Sequence, residues 1–122
     1  MAKNKKTVVM GASENPARYS RKAVEMLRQY GHDVIAIGLR EGKIGDVLIM
    51  KGPREVANAD TITMYLSAKN QVQYYEYILA LRPKRIIYNP GAENDELQRL
   101  AEEKGIENVE ACTLVMLSTG QY

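Results

Sequence analysis

The 122-residue chain has one cysteine and one histidine, and those two scarcities remove several chemistries at once. A lone cysteine, Cys112, rules out an internal disulfide and points to a reducing, cytoplasmic setting. No His/Cys/carboxylate spacing reads as a metal site. Long apolar runs are missing too: none approaches membrane-spanning length, and the N-terminus has no signal-peptide hydrophobic region. Neither sign of charge is in excess. Seventeen Lys and Arg against fifteen Asp and Glu leave +2, too little to argue for nucleic acid. The one basic run, Lys3-Asn4-Lys5-Lys6, reads as a solvated end before the first strand. There is no repeat, low-complexity linker or domain boundary, so the expectation is a single domain over residues 1–122 with one core.

What is present is an alternation of apolar, β-rich runs with amphipathic helical stretches, the pattern of an α/β fold. Strands are predicted at Thr7–Met10, Asp33–Ile37, Thr61–Leu66 and Arg85–Tyr88, with a short fifth near Val109–Ala111. They are continuous rather than alternating in hydrophobicity, as expected when helices cover both faces of a parallel sheet. Ala23, Val24, Leu27 and Tyr30 recur at helical spacing, with Gly31 as the stop. Val72, Tyr75, Ile78 and Leu79 mark a second helix ended by Pro83. Asn94 is the expected N-cap of a third, with Asp95 and Glu96 in its first turn, Leu97, Leu100 and Ala101 inward, and Lys104-Gly105 at its end. Val47-Leu48-Ile49-Met50 reads as a further short strand within the less legible segment 42–59. The resulting expectation is a doubly wound, mainly parallel five-stranded sheet, in which ligands sit beyond the carboxyl ends of the strands.

Gly11–Ser20, Gly38–Arg40 and Asn89–Asn94 fall at that rim, and three segments are site candidates. The first, Thr7 to Ser20, is a strand running into a small-residue turn and then a helix. Such a turn leaves backbone N–H groups unpaired where an anion can bind them. Gly11 permits a tight turn and close approach, and Arg18 offers a forked, charge-assisted contact to a phosphate. The other reading is a plain strand-to-helix turn, with Asn15 or Ser13 capping the helix. It is not a dinucleotide fingerprint: Gly11 stands without the further glycines of G-x-G-x-x-G, and the second strand ends Ile37-Gly38-Leu39-Arg40 with no carboxylate for a ribose diol. Arg40 suits instead a ribose carrying a phosphate, which favours NADP or coenzyme A over NAD. The second segment, Asn89-Pro90-Gly91-Ala92-Glu93-Asn94, reads either as a tight connection or as a rim of N–H groups and two amide side chains for a polar ligand. The third, Ala111 to Met116, holds Cys112. His32 precedes the second strand at the opposite rim, so a Cys–His pair is not expected, and Cys112 reads as a small buried apolar residue. Tyr74, Tyr75 and Tyr77, with Tyr65 nearby, form a stripe suited to core packing or to a contact between copies of the chain.

Taken in order, Gly11-Ala12-Ser13-x-Asn15-Pro16-x-Arg18-Tyr19-Ser20, Gly31-His32-x-Val34, Ile44-Gly45, Asp60-Thr61, Pro83-Lys84-Arg85-Ile86-Ile87, Asn89 to Asn94 and Ala111 to Met116 resemble the small single-domain CoA-binding proteins of bacteria and archaea. These are similar to the CoA-binding domain of succinyl-CoA synthetase α-subunits. The resemblance covers nearly the whole chain and implies a Rossmann-like fold that binds coenzyme A. It puts Gly11, Ala12, Ser13, Asn15, Pro16, Arg18, Tyr19 and Ser20 on the CoA phosphates. Arg40 stands in the Gly38-Leu39-Arg40 run that replaces the family's usual Asn-Pro-Lys-like run near the adenosine part, and is assigned to a 3′-phosphate. Tyr65, Leu66 and Ser67, with Asn89, Pro90 and Gly91, are assigned to the rest of the cleft. The synthetases carry a phosphorylated histidine and a nucleotide-grasp domain that this sequence does not match, so the resemblance implies binding of CoA or an acyl-CoA without ligase chemistry. The alternatives left open are an NADP-linked oxidoreductase or redox sensor, and an interaction domain with a degenerate pocket. The expected partners are a small-molecule nucleotide and either a second copy or another protein, with no nucleic acid and no membrane.

Overall fold

A computed structural model describes residues 4–122. Its seven strands are β1 (Thr7–Met10), β2 (Val34–Gly38), β3 (Gly42–Ile44), β4 (Val47–Lys51), β5 (Thr61–Met64), β6 (Arg85–Tyr88) and β7 (Glu107–Glu110). The helices are α1 (Tyr19–Gln29), α2 (Ala68–Gln71), α3 (Tyr75–Leu81), α4 (Asp95–Glu103) and α5 (Thr113–Ser118), with a 3₁₀ turn at Val72–Tyr74 joining α2 to α3. The sheet order is β3-β4-β2-β1-β5-β6-β7. Every pairing is parallel except β3 with β4. The fold is thus Rossmann-like and doubly wound, but with seven strands instead of five.

Strand β4 is the short run read at Val47–Met50, β3 is new, and the new strand and the shifted ends have local causes. The β3–β4 hairpin turns at Gly45-Asp46, and β3 is only three residues long. The run expected as Thr61–Leu66 leaves the sheet after Met64. The final strand lies earlier than expected, at 107–110, and Thr113–Ser118 is helical. The Tyr-rich segment is not one helix: the 3₁₀ turn interrupts it and leaves Val72 exposed.

Both faces of the central strands are buried, which explains their unbroken apolarity. Val8, Met10, Ile62, Met64, Ile86 and Tyr88 pack with Ile78, Leu97 and Ala101 of α3 and α4. On the other face Val9, Ala36 and Ile49 meet Val24 and Leu27 of α1 and Leu117 of α5. Asn94 caps α4 as expected, its Oδ1 accepting from Leu97 N–H at 3.0 Å. Its Nδ2 donates to Gln71 Oε1 and to the Tyr75 hydroxyl, both at 2.8 Å.

The amino-end rim is a closed polar cluster. Buried His32 accepts the Lys5 N–H at Nδ1 (2.9 Å) and stacks obliquely on Tyr122. Arg85 donates to the Tyr122 carbonyl at 2.8 Å and lies over its ring. The segment expected as a solvated end is therefore tied down: Asn4 pairs with Asp33, and the Lys5 and Lys6 ammonium groups donate to the carbonyls of Tyr122 and Ala57. Lys3 lies outside the described residues.

Candidate functional site

The chain order reverses between β1 and β5: β1 is followed by α1 and β2 on one side, and the later strands lie on the other. At the carboxyl ends of these two strands a cleft of about 980 Å³ opens, within the usual size range of small-molecule sites. Its floor is the turn after β1. Gly11 sits at φ +96°, and a Cβ there would lie 3.2 Å from both Tyr65 C and Leu66 N. Only glycine allows β1 and β5 to part so closely beneath the cleft.

One wall is the first loop and the start of α1. Arg18 is the N-cap residue of α1, and no side chain caps the helix. Asn15 and Ser13, expected as caps, are used earlier: Ser13 Oγ accepts from Asn15 N–H (3.1 Å), and Asn15 Oδ1 accepts from Ala17 N–H (2.9 Å). The first turn of α1 thus begins at the cleft with no side-chain cap, at the positive end of the helix dipole. Arg18 and Arg40 add two exposed guanidinium groups at the margin. Tyr19 and Leu39 also reach the cleft, 66% and 71% exposed; apolar side chains left this open at a cleft mouth are surfaces for a ligand to cover.

The opposite wall comes from Tyr65, Leu66 and Ser67 after β5, Asn70 in α2, and Pro90 and Gly91 after β6. Gln71, fully buried, joins these segments by donating from Nε2 to the carbonyls of Leu66 and Ala92, each at 2.8 Å. The Tyr65 hydroxyl is buried with no hydrogen-bond partner among the described residues, and burial pushes its pKa upward, so it stays a neutral phenol.

The cleft brings together the residues expected from the sequence with two exceptions. Pro16 stands in the first loop but does not line the cleft. Asn89 lies beneath it, fully buried: Nδ2 donates to Thr63 Oγ1 (2.7 Å) and the Met64 carbonyl (2.9 Å), while Oδ1 accepts from Thr113 N–H (2.8 Å). It supports the Pro90-Gly91 turn and fixes the start of α5. The amides of Asn89 and Asn94, read as possible ligand groups, are therefore engaged inside the protein, and Gly91 N–H donates to Glu93 Oε1 (3.0 Å). Glu14, Ala17, Glu41 and Asn70 line the cleft without having been singled out; nothing in their type or spacing distinguishes them from ordinary surface residues. Cys112 is half-buried at the N-cap of α5 rather than fully buried. It belongs to the rim opposite His32, as the segment order implied.

No curated protein matches the sequence. A crystal structure of an uncharacterized protein has 42% identity and a TM-score of 0.96, covering 99% of this chain and 100% of its own. A hypothetical protein from Pyrococcus horikoshii has a TM-score of 0.86 at 19% identity, covering 95% of this chain and 83% of its own. A Thermus thermophilus protein has a TM-score of 0.81 at 19% identity, with 98% and 91% covered. The last two likenesses speak to the fold alone. The sequence profile of the CoA binding domain matches residues 5–118, and the chain belongs to that family.

Proposed function

We propose that the chain binds coenzyme A or an acyl-CoA in this cleft, as a binding or regulatory module without chemistry of its own. The observation that carries this reading is the uncapped N-terminus of α1 opening on the switch-point cleft, with Arg18 and Arg40 on its margin. A pyrophosphate needs N–H donors and positive charge together, and that corner supplies both. Gly11, Ala12, Ser13, Asn15, Arg18, Tyr19 and Ser20 take the phosphates, with Pro16 shaping their loop. Arg40 takes the 3′-phosphate, and Tyr65–Ser67 with Pro90-Gly91 line the path of the remaining ligand. Asn89 acts from below by holding that turn.

The noncatalytic part of the reading rests on the separation of Cys112 from His32 across the sheet. An imidazole held by Lys5 N–H at one rim gives no base to a thiol at the other. Arg40 would equally suit the 2′-phosphate of NADP, which keeps an NADP-linked redox protein as the second reading. Against a degenerate pocket stands the cleft itself, which is open.

Titration of CoA, acetyl-CoA, dephospho-CoA and NADPH by calorimetry and thermal shift tests the reading. CoA at about one hundred times its Kd should add roughly 2.7 kcal/mol to stability. Arg18→Ala should remove a charge-assisted contact of about 1.5–3 kcal/mol, roughly ten- to one-hundredfold in Kd. Absence of CoA binding at millimolar concentration, or preference for NADPH, would overturn it.

A further inference from the structure

Glu14 lines the cleft, yet its carboxylate is committed elsewhere. Oε2 accepts the N–H of Lys43 at 2.9 Å, and Lys43 is the central residue of β3, the edge strand of the sheet. The carboxyl group rests on Gly42: a Cβ at that position would lie 2.5 Å from Glu14 Cδ and 2.8 Å from Oε1. Gly42 does not have a positive φ, so the missing side chain there serves space and not a turn. A second close approach holds the same loop nearer its start, where a Cβ on Gly38 would lie 2.3 Å from the Ala12 carbonyl oxygen. Arg21 of α1 donates to the Glu14 carbonyl. Segment 12–17 is thus braced against α1 and β2, and the Glu14 side chain is its tie to β3.

Resting on the CoA reading above, we propose that Glu14 is a positioning residue: seated on Gly42, it latches the phosphate loop to the edge strand and so sets the cradle before ligand arrives. The latch also occupies one oxygen of a carboxylate that would otherwise confront the incoming phosphates. A loop fixed in advance spares the ordering cost at binding. The backbone of β3 is not at stake, because the group a Gly42 side chain would meet is the end of a flexible side chain that can move aside.

Glu14→Gln keeps an acceptor of the same reach, whereas Glu14→Ala removes it and Gly42→Ala displaces it. The proposal expects Glu14→Gln to bind CoA no more weakly than the parent, and Glu14→Ala and Gly42→Ala each to bind about tenfold more weakly. The double variant Glu14→Ala/Gly42→Ala should bind no more weakly than Glu14→Ala alone, because both changes break one contact. Additive losses would mean two unrelated disturbances and would overturn the latch. Hydrogen exchange without ligand gives a readout independent of CoA: the Lys43 amide and those of residues 12–17 should exchange faster in Glu14→Ala and Gly42→Ala. Unchanged exchange refutes the latch. Faster exchange in a protein that does not bind CoA keeps the latch and refutes the ligand.

Discussion

Gln71→Met is the most direct test of how the cleft wall is held. Gln71 is fully buried and joins the Leu66 and Ala92 carbonyls to each other through one amide nitrogen, while its oxygen accepts from Asn94. Methionine has similar length and fills irregular space well, so the substitution removes hydrogen bonds with little change in packing. Two backbone carbonyls lose this donor, at about 1–3 kcal/mol for each one left unsatisfied. Asn94 Nδ2 retains the Tyr75 hydroxyl, which limits the third loss. The two carbonyls together come to about 2–6 kcal/mol, a large share of the roughly 5–15 kcal/mol that a domain has in total. Urea unfolding followed by circular dichroism measures it. A loss under about 1 kcal/mol would mean that the Gln71 bonds are readily replaced by water and that the two wall segments stand independently. Gln71→Glu sharpens the test through its pH dependence. An ionised carboxylate there has no proton to give either carbonyl, so its folded-state pKa must lie above the unfolded value of about 4.3. That variant should lose stability as pH rises from 5 to 7, in the direction opposite to the parent.

Three further outcomes follow from the same geometry. Gly11→Ala places a methyl group 3.2 Å from the backbone of Tyr65 and Leu66 at φ +96°; it should cost about 1–3 kcal/mol and weaken CoA binding, and a neutral result in denaturation and calorimetry would refute the close-approach argument. Burial, followed by the charges of Lys5 and Arg85, holds the His32 pKa below its ordinary value. The unfolded chain therefore binds the proton more readily, so stability is full above about pH 6.5 and falls below it; urea midpoints at pH 7 and 5 should converge in His32→Gln relative to the parent. Arg40→Ala should weaken CoA about tenfold or more but leave dephospho-CoA unchanged, and equal effects on both ligands in calorimetry would remove Arg40 from the 3′-phosphate.

The central strands were legible because burial on both faces writes an unmistakable signal. Thr7–Met10 and Arg85–Tyr88 coincide with the runs predicted for them. Strand β3 was not legible: Gly42-Lys43-Ile44 carries one apolar residue, and only pairing with β4 makes it a strand. Thr113–Ser118 is rich in residues that also suit strands; what makes it a helix is long-range, including Thr113 N–H donating to Asn89 Oδ1. The cleft was legible by segment, since turns at the carboxyl ends of parallel strands converge whatever they contain. It was less legible by residue. Asn89 offers the same amide to a ligand or to buried neighbours, and only the presence of Thr63, Met64 and Thr113 within its reach decides between them.

The bond between Glu14 and Lys43 bears also on how the edge of the sheet meets other strands. The outer flank of a sheet is a row of hydrogen-bonding groups open to any other strand. On the β3 side the strand is three residues long, carries a lysine at its centre, and has its Lys43 N–H already taken. On the β7 side Glu107 and Glu110 stand exposed at the two ends of the strand. Removing Glu14 would therefore free a strand donor as well as a loop, and the variant should show an increased tendency to aggregate on concentration.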